Sequence, residues 1–309
     1  MLALGETASH LLKKLIGLLC AALVCIAVLA VVAGGLITAD IEKDDAILSP
    51  EEAWFDDWYT ITRIDNVTFA IGEPRYWQLN YNYLWLGEER AILFDTGAGV
   101  RNIKPVVQSL TQLPVTVISS HPHYDHIGNN YRFERVAVLD VPSLRSEVRN
   151  NIFEPRFSRA FTFRRMPPFT VSEWLRKEQI IELGNRTLTA FHIPGHEQGS
   201  VALLDAERKQ LFTGDFIYPG WLVAFAPTSD LEKYIASIRY LLTRTTGDEI
   251  LYGAHAVPEH PSPTLPHSVL MDLLNALQAI DSNSIAPVSR FPLRIYPVNE
   301  DMEIYFPPF

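Results

Sequence analysis

The sequence predicts a layered α/β protein, and three observations support this prediction. The chain has 309 residues, of which 48% are apolar, enough to bury a large core in one or two domains. Short β-rich runs bounded by turn residues come first along the chain. Helical and strand-like segments then alternate, which is typical of a layered fold rather than of a purely parallel sheet.

The first predicted element is an apolar segment, residues 15–37. Its 23 residues carry no charge, and 20 of them are apolar. As a helix it would be about 35 Å long, enough to cross the hydrocarbon core of a bilayer. Lys13 and Lys14 precede the segment and acidic residues follow it. By the positive-inside rule, residues 1–14 are expected in the cytoplasm and the rest of the chain on the periplasmic or extracellular side.

The sequence therefore predicts a single-pass membrane protein, with a transmembrane helix before the α/β domain. A signal peptide cleaved after Ala39 is the alternative, but its apolar region would be far longer than is usual. Residues 38–53 are acidic with little pattern and are interpreted as a linker. The folded domain is then expected to span residues 54–309.

Within this domain, strands and helices are predicted from apolar periodicity and turn residues. The strands are expected at 59–63, 67–71, 80–86, 91–94, 115–119, 188–192, 201–204, 210–212 and 250–252, with a terminal hairpin at 293–297 and 302–306. The helices are expected at 100–110, 143–149, 229–242 and 265–280.

Charge and cysteine content exclude several classes of function. The formal net charge is −10, which argues against nucleic-acid binding because Lys and Arg supply most of the affinity for phosphate backbones. The two cysteines, Cys20 and Cys25, both lie in the apolar segment. Any metal bound by the domain must therefore be held by histidines and carboxylates.

The most informative motif follows the predicted strand at 115–119. It places His121, His123, Asp125 and His126 within six residues. Imidazole and carboxylate are the ligands that Zn²⁺ takes when thiolates are absent. Burying such a cluster with nothing to bind would be costly, so the motif indicates a metal site.

Four further polar residues each follow an apolar strand and stand near a glycine. They are Asp95, His196, Asp215 and His255. Glycine allows the sharp turn that such a loop needs. Strand ends in this arrangement deliver side chains to one rim of a layered fold.

The ordered series of these residues resembles the metallo-β-lactamase superfamily, over residues 54 to about 257. The resemblance implies an αββα sandwich with two zinc ions at one edge. The first zinc would be bound by His121, His123 and His196, and the second by Asp125, His126 and His255. Asp215 would bridge the two ions, and Asp95 would hydrogen-bond the metal loop from behind the ligands.

Single residues reduce the number of superfamily branches to which the chain can belong. The absence of cysteine from the domain excludes the branch with a Cys ligand, and His123 replaces the Glu of flavodiiron oxidoreductases. Asp215 with Tyr218 resembles the lactonase, glyoxalase II and thioesterase branches. Tyr218 would then assist catalysis beside Asp125 and Asp215; the alternative is a packed aromatic residue.

Longer stretches, residues 126–140 and 194–220, resemble an acyl-CoA thioesterase of the superfamily. This resemblance implies hydrolysis of acyl thioesters. It conflicts with the predicted topology, because CoA thioesters are scarce outside the cytoplasm.

Residues 145–177 are predicted to form a lid beside the site. The segment carries eight basic and three acidic residues, with phenylalanines between them. Arg164 and Arg165 are candidates for a clamp on an anionic group of the substrate. A basic surface facing a membrane, or a solvated helix, is the alternative.

Together these observations predict a zinc hydrolase that cleaves an acyl ester, thioester or lactone through a hydroxide bridging two zinc ions. The expected partners are a small acyl substrate, lipid-like or anionic, and the membrane through the N-terminal helix, with no nucleic acid. The alternatives are an iron-dependent oxidoreductase of the persulfide dioxygenase type and a phosphodiesterase.

Overall fold

Two large β-sheets form the centre of the computed structural model, which describes residues 52–155 and 166–308. The strands are β1 (Glu52–Trp54), β2 (Thr60–Asp65), β3 (Thr68–Glu73), β4 (Asn80–Leu86), β5 (Ala91–Phe94), β6 (Val115–Ile118), β7 (Val136–Leu139), β8 (Val148–Arg149), β9 (Ile152–Phe153), β10 (Phe169–Thr170), β11 (Glu173–Leu175), β12 (Gln179–Glu182), β13 (Thr187–His192), β14 (Val201–Asp205), β15 (Gln210–Gly214), β16 (Gly220–Val223), β17 (Ile250–Gly253), β18 (Thr264–Pro266), β19 (Arg294–Pro297) and β20 (Met302–Phe306). The helices are α1 (Lys104–Leu110), α2 (Pro142–Arg145), α3 (Leu231–Arg244) and α4 (Val269–Asp281), with a 3₁₀ turn at Asn130–Arg132.

The first sheet has the strand order β1-β2-β3-β4-β5-β6-β7-β11. It is antiparallel from β1 to β5 and parallel from β5 onward. The second sheet has the order β12-β13-β14-β15-β17-β18, and two small sheets have the orders β10-β9-β8 and β16-β20-β19. This organisation confirms the predicted α/β fold with early hairpins and later alternation.

Side chains on the two faces of the second sheet enter different cores. Leu203 and Phe212 join the core shared with the first sheet. The Phe212 ring lies 4.8 Å from Tyr83 and 4.5 Å from Trp85, both on β4. On the opposite face, residues such as Leu211 pack in a second core that includes α3 and α4. This alternation places the second sheet between the first sheet and these helices.

Parallel pairing brings the loops of interest to the same sheet edges. β5 and β6 are parallel, and Asp95 and the histidine cluster follow their carboxyl ends. β15 and β17 are also parallel, and Asp215 and His255 follow theirs. The polar residues that follow these strands therefore lie together in one cluster at a rim of the fold.

Several local predictions differ from the structure, among them the helix predicted at 100–110, which begins at Lys104. Residues 143–149 form only the short helix α2 before β8, because Val148–Arg149 pairs with β9. The helix predicted at 265–280 begins at Val269, since Thr264–Pro266 pairs with β17 as strand β18. Residues 52–53, which were assigned to the linker, belong to β1 and pair with β2.

The predicted single-pass membrane localisation is wrong. No helix in residues 52–155 and 166–308 is long and apolar enough to cross a membrane. The longest of these helices, α3, has 14 residues, or about 21 Å, against a hydrocarbon core of about 30 Å. Residues 15–37, on which the prediction rested, lie outside the described residues. We therefore withdraw the transmembrane topology and the periplasmic or extracellular placement of the domain.

Candidate metal centre

Seven buried side chains meet in two overlapping groups. The first group is His121, His123, His196 and Asp215, and the second is Asp125, His126, His255 and Asp215. In each group, one potential ligand atom per residue lies within 4.8 Å of the others. The structure thus brings together all seven residues that the resemblance implied as ligands, and it divides them as the resemblance implied.

Asp215 is the residue that the two groups share. Its Oδ2 lies 3.7 Å from His121 Nε2 and 3.5 Å from His196 Nε2. Its Oδ1 lies 3.2 Å from His126 Nε2 and 3.0 Å from His255 Nε2. One carboxylate oxygen therefore faces each group, which is the arrangement that a bridging ligand requires.

Hydrogen bonds behind two imidazole rings set which nitrogen faces the cluster. His196 Nδ1 lies 2.7 Å from the carbonyl oxygen of Val223, so Nδ1 carries the hydrogen. His126 Nδ1 lies 2.9 Å from Asp95 Oδ2 and is placed in the same way. In both residues Nε2 then faces the cluster, and it can bind a cation when it carries no proton.

Polar atoms at the centre of the cluster fit a bound metal. Among the described residues, no hydrogen-bond partner exists for His126 Nε2, Asp215 Oδ1 or His255 Nε2. Asp215 Oδ1 lies 3.2 Å from His126 Nε2 and 3.0 Å from His255 Nε2, but neither contact has the angles of a hydrogen bond. Buried polar atoms without partners are costly, and a metal ion would satisfy all three. Nitrogen and oxygen donors without sulfur suit zinc and also iron.

Electrostatics in the cluster favour the ligand forms of two residues. Burial lowers the pKa of His121, and the neighbouring His126 and His123 lower it further, to well below its usual value. Burial raises the pKa of Asp215, but His126 and His255 outweigh this effect and hold it well below its usual value. A neutral imidazole and an ionised carboxylate are the forms that bind metals.

His126 has the opposite shift. Burial lowers its pKa, but the carboxylates of Asp215, Asp125 and Asp95 outweigh that effect and raise it well above its usual value. A cation that binds to Nε2 must therefore displace a proton, so metal binding by the second group is expected to weaken as the pH falls.

Asp95 supports the metal loop from behind the ligands. Its Oδ1 accepts a hydrogen bond of 2.6 Å from the backbone N–H of Ser120, and its Oδ2 accepts one from His126. Its backbone lies in the left-handed region, with φ of 66°. Gly214, before Asp215, has φ of 56°, and a Cβ there would lie 2.5 Å from Ser120 Cβ. Only glycine therefore lets the Asp215 loop approach the metal loop this closely.

We expect Asp95→Asn to weaken metal binding by about 10- to 100-fold, because a carboxamide keeps only one of the two acceptor oxygens. Asparagine tolerates the left-handed conformation, so the backbone is preserved. Competition with a chelating dye measures the affinity. Asp56→Asn is the control, since Asp56 also accepts two hydrogen bonds, in its case from the backbone N–H groups of Trp58 and Tyr59. Equal affinities for Asp95→Asn and the wild type would contradict the role given to Asp95.

Sequence reasoning missed two buried acidic residues near the cluster. Glu197 is fully buried, and its Oε2 lies 3.8 Å from His123 Nε2. Glu73 is also fully buried, where it accepts hydrogen bonds from Trp58 Nε1 at 3.0 Å and from Asn82 Nδ2 at 3.3 Å. A Cβ on Gly97 would lie 1.8 Å from Glu73 Oε1. Glu73 is the last residue of its strand, where an acidic residue is usually part of a turn, so the sequence did not single it out.

Burial raises the pKa of Glu73 to about 7, despite hydrogen bonds from Trp58 and Asn82 that lower it. Because this pKa exceeds the unfolded value, stability is lost as the pH rises between about 4.5 and 7. Glu73→Gln does not titrate. Between pH 5 and 8, the unfolding free energy of the variant relative to the wild type should rise by up to roughly 3 kcal/mol.

Urea unfolding of both proteins in chelator, at pH 5 and pH 8, measures this difference. The exposed Glu207→Gln serves as the control and should change the difference by only a few tenths of a kcal/mol. A pH-independent difference between Glu73→Gln and the wild type would contradict the ionisation of Glu73 in this range.

Tyr218, which was predicted to be catalytic, lies beside the second group. Its ring centroid is 5.0 Å from that of His255, and its hydroxyl donates a hydrogen bond of 2.5 Å to the carbonyl oxygen of Trp221. Burial, reinforced by Asp215, raises its pKa well above the usual value, so the hydroxyl stays protonated. Its catalytic role stays a prediction.

The predicted lid is only partly described. Residues 148–153 and 169–170 form the small sheet β10-β9-β8, and β11 extends the first sheet beside β7. The candidate clamp residues Arg164 and Arg165 lie outside the described residues, so the clamp also stays a prediction.

Comparisons with known proteins add a family and several relatives. The family model described as metallo-beta-lactamase superfamily matches residues 76–283. The bovine protein named acyl-coenzyme A thioesterase MBLAC2 is 31% identical over 216 residues, which cover 60% of this chain and 76% of the relative. The hydroxyacylglutathione hydrolase GloC of Haemophilus influenzae is 25% identical over 182 residues, which cover 58% of this chain and 85% of the relative.

Solved structures show the same fold. A metallo-beta-lactamase from Pontibacter korlensis has a TM-score of 0.55 and 18% sequence identity, covering 71% of this chain and 99% of that one. At this identity the likeness concerns the fold alone.

Proposed function

Because this chain belongs to the metallo-beta-lactamase superfamily, we propose that it is a dinuclear zinc hydrolase that cleaves acyl thioesters. The family and the hydrolase class, both predicted from the sequence, are confirmed. The number and identity of the metals and the choice of substrate are the proposed parts.

The shared carboxylate of Asp215 is the observation that carries the proposal. Each of its oxygens faces one group of ligands, at 3.0 to 3.7 Å from the imidazole nitrogens. A site for a single ion would not need two such groups. Bound divalent metal ions would lower the pKa of water toward neutrality and polarise a substrate carbonyl.

Residues of the chain prepare this chemistry by their placement. The ligand residues are at most 5% exposed, so charges inside the cluster are weakly screened by water. Asn80 Nδ2 donates a hydrogen bond of 2.9 Å to the backbone carbonyl of Asp125 and fixes that loop. The cluster is thereby held in position before a substrate arrives, which lowers the reorganisation that the reaction requires.

The leaving group favours a thioester over an oxoester or a lactone. The hydroxyl hydrogen of Tyr218, which was predicted to assist catalysis, is already directed to the Trp221 carbonyl. A thiol has a pKa near 8.5 and leaves readily as an anion, whereas an alkoxide is far more basic and needs protonation. The names of two relatives, an acyl-coenzyme A thioesterase and a hydroxyacylglutathione hydrolase, agree with this choice. The scarcity of CoA thioesters outside the cytoplasm was an objection only under the predicted transmembrane topology, which was wrong.

A substrate screen with the zinc-loaded protein tests the proposal. The probes are a short and a long acyl-CoA, an acylglutathione, γ-butyrolactone and bis(p-nitrophenyl) phosphate. We expect thioesters to be hydrolysed fastest, and Asp125→Ala to abolish the reaction. Phosphodiester cleavage alone, or activity only with iron and uptake of oxygen, would overturn the proposal.

A further inference from the structure

The free edge of β16 faces the metal cluster. The opposite edge pairs with β20. At the two ends of this pairing, Gly220 N–H donates to the Asp301 carbonyl and Ala224 N–H donates to the Tyr305 carbonyl, each at 2.9 Å. Backbone groups of alternate residues point to opposite edges of a strand. Trp221 and Val223 therefore direct their N–H and carbonyl groups toward Tyr218 and His196.

The Tyr218 hydroxyl binds this edge. It donates a hydrogen bond of 2.5 Å to the Trp221 carbonyl. The side chain is only 4% exposed. A hydroxyl engaged in this way holds the strand edge in place.

The same edge orients a predicted ligand. The Val223 carbonyl accepts the hydrogen bond from His196 Nδ1 at 2.7 Å. This bond fixes both the tautomer and the plane of the imidazole. The His196 backbone carbonyl in turn accepts a hydrogen bond of 2.8 Å from Ser229 Oγ.

Tyr218 is itself held tightly at its backbone. A Cβ on Gly253 would lie 2.4 Å from Tyr218 Cβ, so this pair of segments is in close contact. Its ring packs edge-on against His255, with an interplanar angle of 71°. Tyr218 thus contacts one ligand of the second group directly and reaches one ligand of the first group through β16.

We infer that Tyr218 is a positioning residue, which fixes His196 through the edge of β16 rather than acting on the substrate. The inference rests on the metal centre of the proposed function and is independent of the substrate. Its consequence is that the hydroxyl controls metal affinity and ligand geometry, while turnover by the fully loaded site does not depend on it.

Tyr218→Phe tests this inference because it removes one oxygen atom and keeps the ring against His255. We expect zinc affinity to fall about tenfold in chelator competition, within the range seen when a hydrogen bond behind a ligand is lost. The visible absorption spectrum of the Co²⁺-loaded protein should also shift. At saturating zinc, kcat should stay within about threefold of the wild type. Unchanged metal affinity and spectrum, or a large loss of kcat at full occupancy, would overturn the inference.

Tyr59→Phe is the matched control. It removes a hydroxyl of another buried tyrosine, which donates to the Arg101 carbonyl at 2.9 Å. It should lower thermal stability by a similar amount without changing zinc affinity or the Co²⁺ spectrum. A purely structural role of Tyr218 would give this same pattern in Tyr218→Phe.

Hydrogen exchange on the wild type covers the case in which Tyr218→Phe does not fold. Loading with zinc should slow exchange of the amides of β16, because His196 connects that strand to the metal. Unchanged exchange in β16, with slower exchange in the ligand loops, would contradict the connection. Zinc affinity, the Co²⁺ spectrum and hydrogen exchange need no substrate, so a failure of the thioesterase proposal leaves these three readouts interpretable.

Discussion

Asp215→Ala should lower kcat/KM for the thioester by at least about 10³-fold, because it removes the one carboxylate that both ligand groups share. A shared carboxylate lies between the groups, within 3.7 Å of four imidazole nitrogens. Its removal would take away the anion that neutralises the two cations of the proposed site. A loss of about 4 kcal/mol in transition-state stabilisation corresponds to this factor.

A second substitution at position 215 distinguishes loss of the bridge between two metal ions from loss of the negative charge alone. Asp215→Asn retains one oxygen, which can serve one group only. Metal analysis should therefore find about one zinc per chain in this variant and less in Asp215→Ala. Asp140→Asn, at an exposed carboxylate, is the control and should leave both metal content and activity unchanged. Two retained zinc ions and near-normal turnover in Asp215→Ala would contradict the bridging role.

Asp205→Asn should lower the unfolding free energy by about 3–5 kcal/mol, the largest effect expected on stability. Asp205 Oδ2 lies 2.6 Å from Arg186 Nε, and the side chains are 1% and 2% exposed. Arg186 also donates to the Val67 carbonyl at 3.1 Å and to Thr68 Oγ1 at 2.8 Å, and so connects the two sheets. Removing the carboxylate charge leaves a buried guanidinium without its counter-ion.

The matched control is the exposed pair of Arg145 and Asp140. Its Nε–Oδ1 distance of 2.7 Å is nearly the same, but the side chains are 49% and 37% exposed. Asp140→Asn should lower the unfolding free energy far less than Asp205→Asn, because water screens the exposed pair. Denaturant unfolding of both variants compares the two sites directly. Equal costs would contradict the importance of burial.

The ligand set could be predicted because each residue lies in a short local pattern. Asp95, Asp215 and His255 each follow a strand and lie within two residues of a glycine, and parallel pairing then brings them together. The sheet region was predicted for the same reason, since alternating apolar runs are read from a few neighbouring residues. Helix 143–149 failed because pairing of Val148–Arg149 with β9 outweighed its local helical pattern.

The supporting contacts could not be predicted because they join residues far apart in the chain. The Val223 carbonyl that orients His196 is a backbone atom, which any residue at position 223 would supply. Glu73 meets Gly97 only after β3 and the loop beyond β5 have come together. A predicted catalytic hydroxyl at Tyr218 was reasonable from its spacing to Asp215, yet only the fold shows that β16 binds that hydroxyl.

Titration of the metal-free protein with zinc, while hydrolysis of an acyl-CoA is followed, shows whether the protein is a dinuclear hydrolase. We expect two zinc ions per chain, with most of the activity appearing as the second equivalent binds. Full activity after one equivalent, or binding of a single ion, would contradict it.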